Sequence, residues 1–190
     1  MLEINGNRLA PQLIILDKDG TLIAFDVMWR AWFDRFARFI SGRYTLPLEA
    51  RLGLAGTLGY DPVDGDWDPS GPLTLASTSE VLLLVAGQLY QYLNLTWEEA
   101  LSLVRDAEDD ARGVLLNPDV LRPIGDVSAW LQKLVRVGHQ LALVTTDARS
   151  STEHQLRALG LEEFFSIIVC GDDGLALKPA PDMALAVCQR

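Results

Sequence analysis

The chain opens with a short polar-flanked stretch around Asn5-Gly6 that predicts a β-hairpin over residues 2–9. An uninterrupted apolar run, Leu13 to Leu16, follows and reads as a buried strand. From Val27 the period changes. Trp29, Trp32, Phe33, Phe36 and Ile40 recur at helical spacing, with Arg30, Asp34, Arg35 and Arg38 on the other faces. A second helix is expected after Pro47, and Gly59 to Pro72, with three prolines and three glycines, must be loop. Ser77 with Glu80 and Thr96 with Glu99 have the spacing of capping boxes. They predict helices from about Val81 to Leu93 and from Thr96 to about Arg112. No good strand falls within residues 27–113.

Beyond this block strands and helices alternate. A helix over Val127 to Val137 ends at Gly138, and a strand over Gln140 to Thr145 follows. Ser150 with Glu153 predicts another capped helix, ending at Gly160. A strand over Ser166 to Cys170 and a helix over Met183 to Gln189 complete the order. Alternation of this kind implies an α/β fold with a parallel, doubly wound sheet. The helical block interrupts that sheet just after its first strand, where a lid could hang.

Composition narrows the class. Of 190 residues, 49% are hydrophobic, enough for a real core. The formal charge of −10 disfavours nucleic acid and anionic membranes as partners. The apolar run Val81 to Gly87 is too short to span a bilayer. No basic stretch precedes an apolar run at the N-terminus, so no secretory signal is expected. Cys170 and Cys188 have apolar neighbours and read as reduced core residues of a cytoplasmic protein.

The chemistry concentrates where the first apolar run stops, at Asp17-Lys18-Asp19-Gly20-Thr21. Side chains two apart share a side of an extended chain, so Asp17 and Asp19 can reach one pocket at the strand's carboxyl end. Open α/β sheets bind ligands at that end. Two further segments can join them: Thr145-Thr146-Asp147 after a strand, and Lys178-Pro179-Ala180-Pro181-Asp182 before a helix. Two carboxylates, a hydroxyl and an ammonium are the groups needed to transfer a phosphoryl group to an aspartate. Asp64, Asp66 and Asp68 alternate like a calcium loop, but Pro69 and Leu75 stand where its glycine and bidentate acid belong. Asp106, Glu108, Asp109 and Asp110 read as a solvated helix face, and His139 and His154 as structural or surface residues.

Asp-x-Asp-Gly-Thr, a strand-end Thr and Lys-Pro-x-Pro-Asp together resemble the haloacid dehalogenase superfamily. Within it, the likeness is to phosphoglycolate-phosphatase-like hydrolases with a helical cap. The resemblance implies a Rossmann-like core over 1–24 and 116–190, with a cap over 25–115 that selects the substrate. It implies that Asp17 is the nucleophile and that Asp19 protonates the leaving group and then activates water. Thr145 would hold the phosphoryl group and Lys178 would neutralise it. Mg2+ would sit on the Asp17 carboxylate and the Asp19 carbonyl. Gly20 would let the backbone approach the phosphate, and Thr146, Phe25 and Asp26 are candidates for substrate contact. Dehalogenases of this superfamily lack the second aspartate, so Asp19 favours a phosphatase of small phosphorylated metabolites. The alternatives are a sugar phosphomutase or a non-catalytic fragment. The resemblance also implies a later strand with an acidic metal-binding motif that this sequence does not reach. Gly171-Asp172-Asp173 precedes Lys178 and is expected to be a loop. The 190 residues alone are therefore expected to leave the Asp17 strand as a sheet edge, to bind Mg2+ weakly and to turn over poorly. Substrate identity and oligomeric state are not encoded in any motif.

Overall fold

The computed structural model describes residues 2–190 and divides them into two compact units. One comprises the segment up to Phe25 together with Leu121–Arg190, the other Asp26–Val120.

The first unit is α/β. It begins with an antiparallel hairpin, β1 (Leu2–Ile4) and β2 (Asn7–Leu9), turning through Asn5 and Gly6 at φ 49° and 78°. Positive φ at both turn positions is what Asn-Gly supplies at low strain. The main sheet has three parallel strands in the order β3 (Leu13–Leu16), β4 (Gln140–Val144), β5 (Ile167–Val169). Leu16 pairs with Leu143 and Val144 with Val169, so the strands end at nearly one level. Alternate residues of β4 feed two layers. Ala142 and Val144 join Val169 and, on α8 (Asp182–Cys188), Met183 and Val187 in one buried cluster. Leu141 and Leu143, equally buried, point the other way. Helices α6 (Val127–Arg136) and α7 (Arg149–Ala158) add buried Leu131, Leu134 and Leu156. His139 is buried with Nδ1 2.6 Å from the Pro11 carbonyl, a structural role.

The second unit is helical: α1 (Phe25–Arg43, its first residue in the other unit), α2 (Leu48–Leu58), α3 (Pro72–Leu75), α4 (Thr78–Leu93) and α5 (Trp97–Arg112). Both expected capping boxes form, at Ser77/Glu80 and Thr96/Glu99. The α1 aromatic stripe is core: Trp32 stacks on Phe36, and Phe33 packs on Tyr60. On α5, Ala100, Leu103, Val104, Ala107 and Ala111 are buried on one face. A bidentate Arg35–Asp110 pair, 2.6 and 2.7 Å, ties α1 to α5.

Three local expectations are corrected. Ser150 does not cap α7, because the helix already begins at Arg149 and Ser150 lies inside its first turn. The Arg149 N–H is instead satisfied by the Asp172 carboxylate at 2.9 Å. Glu108 is not on a solvated face: it is buried on the apolar side of α5 and paired with Arg112. Cys188 is exposed, since α8 buries Met183 and Val187 and the next position turns outward; Cys170 is buried, and both thiols are free. No helix among the described residues is long and apolar enough to cross a membrane.

Candidate active site

Strand β3 delivers Asp17 to the carboxyl edge of the sheet, and the chain turns there at once. The Lys18 carbonyl accepts from the N–H groups of Thr21, Leu22 and Ile23, while Gly20 N–H donates to the Ile23 carbonyl at 2.8 Å. Gly20 sits at φ 76°, a conformation that a residue with a Cβ adopts only with strain. This tight turn holds both carboxylates beside the sheet.

Asp17 is partly open, its side chain 41% exposed, and it is ion-paired with Lys178. Lys178 Nζ also donates to the Val144 carbonyl at 3.3 Å, so the ammonium bridges the ends of β3 and β4. Thr145 is buried beyond β4, and its Oγ1 accepts from Asp147 N–H at 3.2 Å. Its hydroxyl proton is still available to donate. Thr146 and Phe25 are half-buried, and Asp26 is exposed at the first turn of α1. The structure thus joins Asp17, Lys178 and the end of β4 directly, with Thr145 next in chain. Phe25 lies near Gly20, where an added Cβ would come 4.0 Å from its own.

The largest feature that the sequence reading missed is Lys18. Its side chain is fully buried, and its Nζ lies 2.8 Å from Asp19 Oδ1, 2.7 Å from Asp147 Oδ2 and 2.5 Å from Gln155 Oε1. Burial alone would lower the ammonium's pKa, but attraction to Asp19 and Asp147 outweighs it and the pKa is raised. The Asp19 pKa is raised as well. Burial pushes its carboxyl up to about 7; Lys18 opposes that shift, and the negative charges of Asp147 and then Asp17 add to it. One signal for Lys18 was present. Strand alternation puts position 18 opposite to Asp17, toward the layer that α7 covers.

The acidic turn after β5 is committed elsewhere. Asp173 pairs with Arg149 at 2.6 Å and accepts from Cys170 N–H, and Asp172 caps α7. Among the described residues no cluster of three or more His, Cys, Asp or Glu is spaced to hold a metal. The oxygen donors that remain, the Asp17 carboxylate and the Asp19 carbonyl, suit a hard cation that keeps several waters. Among the described residues no backbone N–H donates to the Asp19 carbonyl. This small donor set fits Mg2+.

The loops after β4 and β5 touch through Gly171. Its N–H donates to the Asp147 carbonyl at 2.8 Å, and a Cβ there would lie 2.0 Å from the Thr146 carbonyl oxygen. Gly171→Ala is therefore expected to destabilise the chain by ~3 kcal/mol or more. Urea denaturation checks this; a loss under ~1 kcal/mol would show that the loops can part without penalty.

The fold is thus a parallel α/β sheet with an aspartate pair and an ammonium at its carboxyl edge. Residues 11–190 match the family model of the haloacid dehalogenase-like hydrolases, and the chain belongs to that family. Among curated relatives, it is 36% identical over 63 residues to the pyrophosphatase PpaX of Halalkalibacterium halodurans. That match covers 33% of this chain and 29% of the relative, so the chain spans less than a third of that protein's length. A predicted phosphoglycolate phosphatase from Haemophilus somnus superposes with a TM-score of 0.65 at 20% identity, over 94% of this chain and 71% of the other. The haloacid dehalogenase-type protein YfnB of Bacillus subtilis, solved bound to magnesium, gives 0.59 at 16% identity, over 95% and 74%. These likenesses show the Rossmann-like α/β fold with a helical insertion.

Proposed function

We propose that the chain carries the site of a Mg2+-dependent phosphatase that hydrolyses a small phosphorylated metabolite through an aspartyl-phosphate on Asp17. The observation that supports this most is the division of labour between the two carboxylates. Asp17 is open and held by Lys178, whereas Asp19 is mostly buried with its pKa raised to about 7. Environments that push two acids apart assign them different jobs. An Asp17 oxygen attacks phosphorus as the bond to the leaving oxygen breaks, and protonated Asp19 gives that oxygen its proton. Asp19, now a carboxylate, then takes a proton from water as the water attacks the phosphoryl group. Inorganic phosphate leaves and Asp17 is restored.

Lys178 balances charge on Asp17 and the transferring group, and the Thr145 hydroxyl donates to a phosphoryl oxygen. Within the α/β unit, Thr146, Gly20 and Phe25 border the phosphate; Asp26 is a further candidate for substrate contact, and the choice of substrate is assigned to the helical cap, about residues 25–115. The Asp17 carboxylate and the Asp19 carbonyl would hold Mg2+, which when bound offsets the negative charge gathered there. The PpaX relative is named for pyrophosphate and the Haemophilus protein for phosphoglycolate. Both are small phosphorylated anions, and that is the substrate class proposed here.

The test is release of inorganic phosphate from a panel of phosphate esters and pyrophosphate, with Mg2+ and with EDTA. Mg2+-dependent release that needs Asp17 supports the proposal. Release that is equal in EDTA, or unchanged in Asp17→Asn, overturns it. An isomerised sugar phosphate without free phosphate would identify a phosphomutase instead.

A further inference from the structure

The three protons of the Lys18 ammonium meet three acceptors on three parts of the first unit. Asp19 lies in the turn after β3, Asp147 in the loop after β4, and Gln155 on α7. Lys18 and Gln155 are each fully buried, and Asp19 and Asp147 are only 16% and 19% exposed. A buried ammonium with every proton placed has no rotational freedom left, and its partners share that rigidity. Among the described residues only Oδ1 of Asp19 accepts a hydrogen bond, which leaves Oδ2 to carry a proton.

We propose that Lys18 is a positioning residue. Clamped by Asp147 and Gln155, it fixes the Asp19 carboxyl in the one rotamer that delivers a proton to the leaving group. This rests on the phosphatase reading of the same site. It also gives Asp147 and Gln155 a function: they hold the lysine and do not touch substrate. An apolar residue at position 18 would leave Asp19 and Asp147 as two buried carboxylates with no cation between them.

The leaving group provides the test. p-Nitrophenolate departs without a proton, whereas an alkoxide needs one. The value of kcat/KM reports phosphoryl transfer up to leaving-group departure, so it isolates the step that Asp19 serves as acid. Lys18→Met and Gln155→Met are compared with wild type on p-nitrophenyl phosphate and on an alkyl phosphate. Gln155→Met removes one leg of the clamp without removing a charge, and it serves if Lys18→Met does not fold. The expected result is a fall in kcat/KM of ~10-fold or more for the alkyl ester and ~2-fold or less for the aryl ester. Equal losses on both esters, or no loss on either, would overturn the proposal. If wild type releases no phosphate in an Asp17-dependent way, the phosphatase reading fails, and the clamp is then read without turnover. A crystal structure of Gln155→Met with Asp19 in a new rotamer supports it; an unmoved Asp19 carboxyl overturns it.

Discussion

Asp17→Asn is expected to abolish Mg2+-dependent phosphate release, by a factor on the order of 10⁴ or more, while leaving the fold intact. The amide has nearly the volume of the carboxylate but no anionic oxygen with which to attack phosphorus. The ion pair it disrupts is weak support for the structure, because both partners are more than a third exposed. An exposed pair of this kind contributes about 1 kcal/mol at most. The Asn amide oxygen can still accept from Lys178, so the change in unfolding free energy should stay within ~1 kcal/mol. Activity and stability are thus predicted to separate at this position. Phosphate release by wild type and variant, alongside urea melts of both, measures the separation. Digestion after an acid quench should place a phosphoryl group on the Asp17 peptide in wild type only. If the variant keeps more than a few per cent of wild-type turnover, Asp17 is not the nucleophile.

The same residues show what a sequence can and cannot reveal. The β4 run is legible because an unbroken apolar stretch of strand length has little choice but burial; Leu13–Leu16 forms its expected strand, but at the end of the three-stranded order it stays half-buried rather than buried. The capping boxes at Ser77 and Thr96 are legible because cap and partner are three residues apart and close their own hydrogen bonds. Ser150 has the same spacing, yet α7 is capped by Asp172, which lies on the loop after β5. Local spacing cannot report a carboxylate supplied across the fold. Lys18 is the sharper case. The motif assigns it no role, and a lysine is almost never fully buried unless paired. Its partners Asp147 and Gln155 are more than a hundred residues away, and only the pairing of β3 with β4 brings them to it. Asp147, Thr145 and Thr146 could each have capped α7. Ala148 holds that position, which frees Asp147 for the lysine. The aspartates were therefore readable as a motif, while the difference in their environments was not. That difference depends on which side of the turn is covered.

Asp19→Asn should stabilise the chain at neutral and alkaline pH while removing its ability to protonate an alkoxide. Asp19 has a folded-state pKa of about 7, against about 4 for an unfolded aspartate. Burial is the main cause, Lys18 works against it, and Asp147 and then Asp17 add to it. The folded chain therefore binds more protons than the unfolded chain between these values, and stability falls as pH rises through that window. Below pH about 4 both states are protonated and there is no penalty. Above about 7 both are ionised and the penalty is complete, roughly 2–4 kcal/mol. Asn is neutral at every pH and still offers Lys18 an oxygen. Urea melts in EDTA should show the variant gaining on wild type from pH 5 to pH 8; a constant difference would place the Asp19 pKa near its ordinary value. Catalysis should respond in the opposite direction. The acid form of Asp19 is depleted above pH about 7, so wild-type kcat/KM for an alkyl phosphate should decline there. The variant should lose ~10²–10⁴-fold on that ester and much less kcat/KM on p-nitrophenyl phosphate. A residue that is more stable when disabled, and disabled most for the poorest leaving group, is a strained acid retained for its proton.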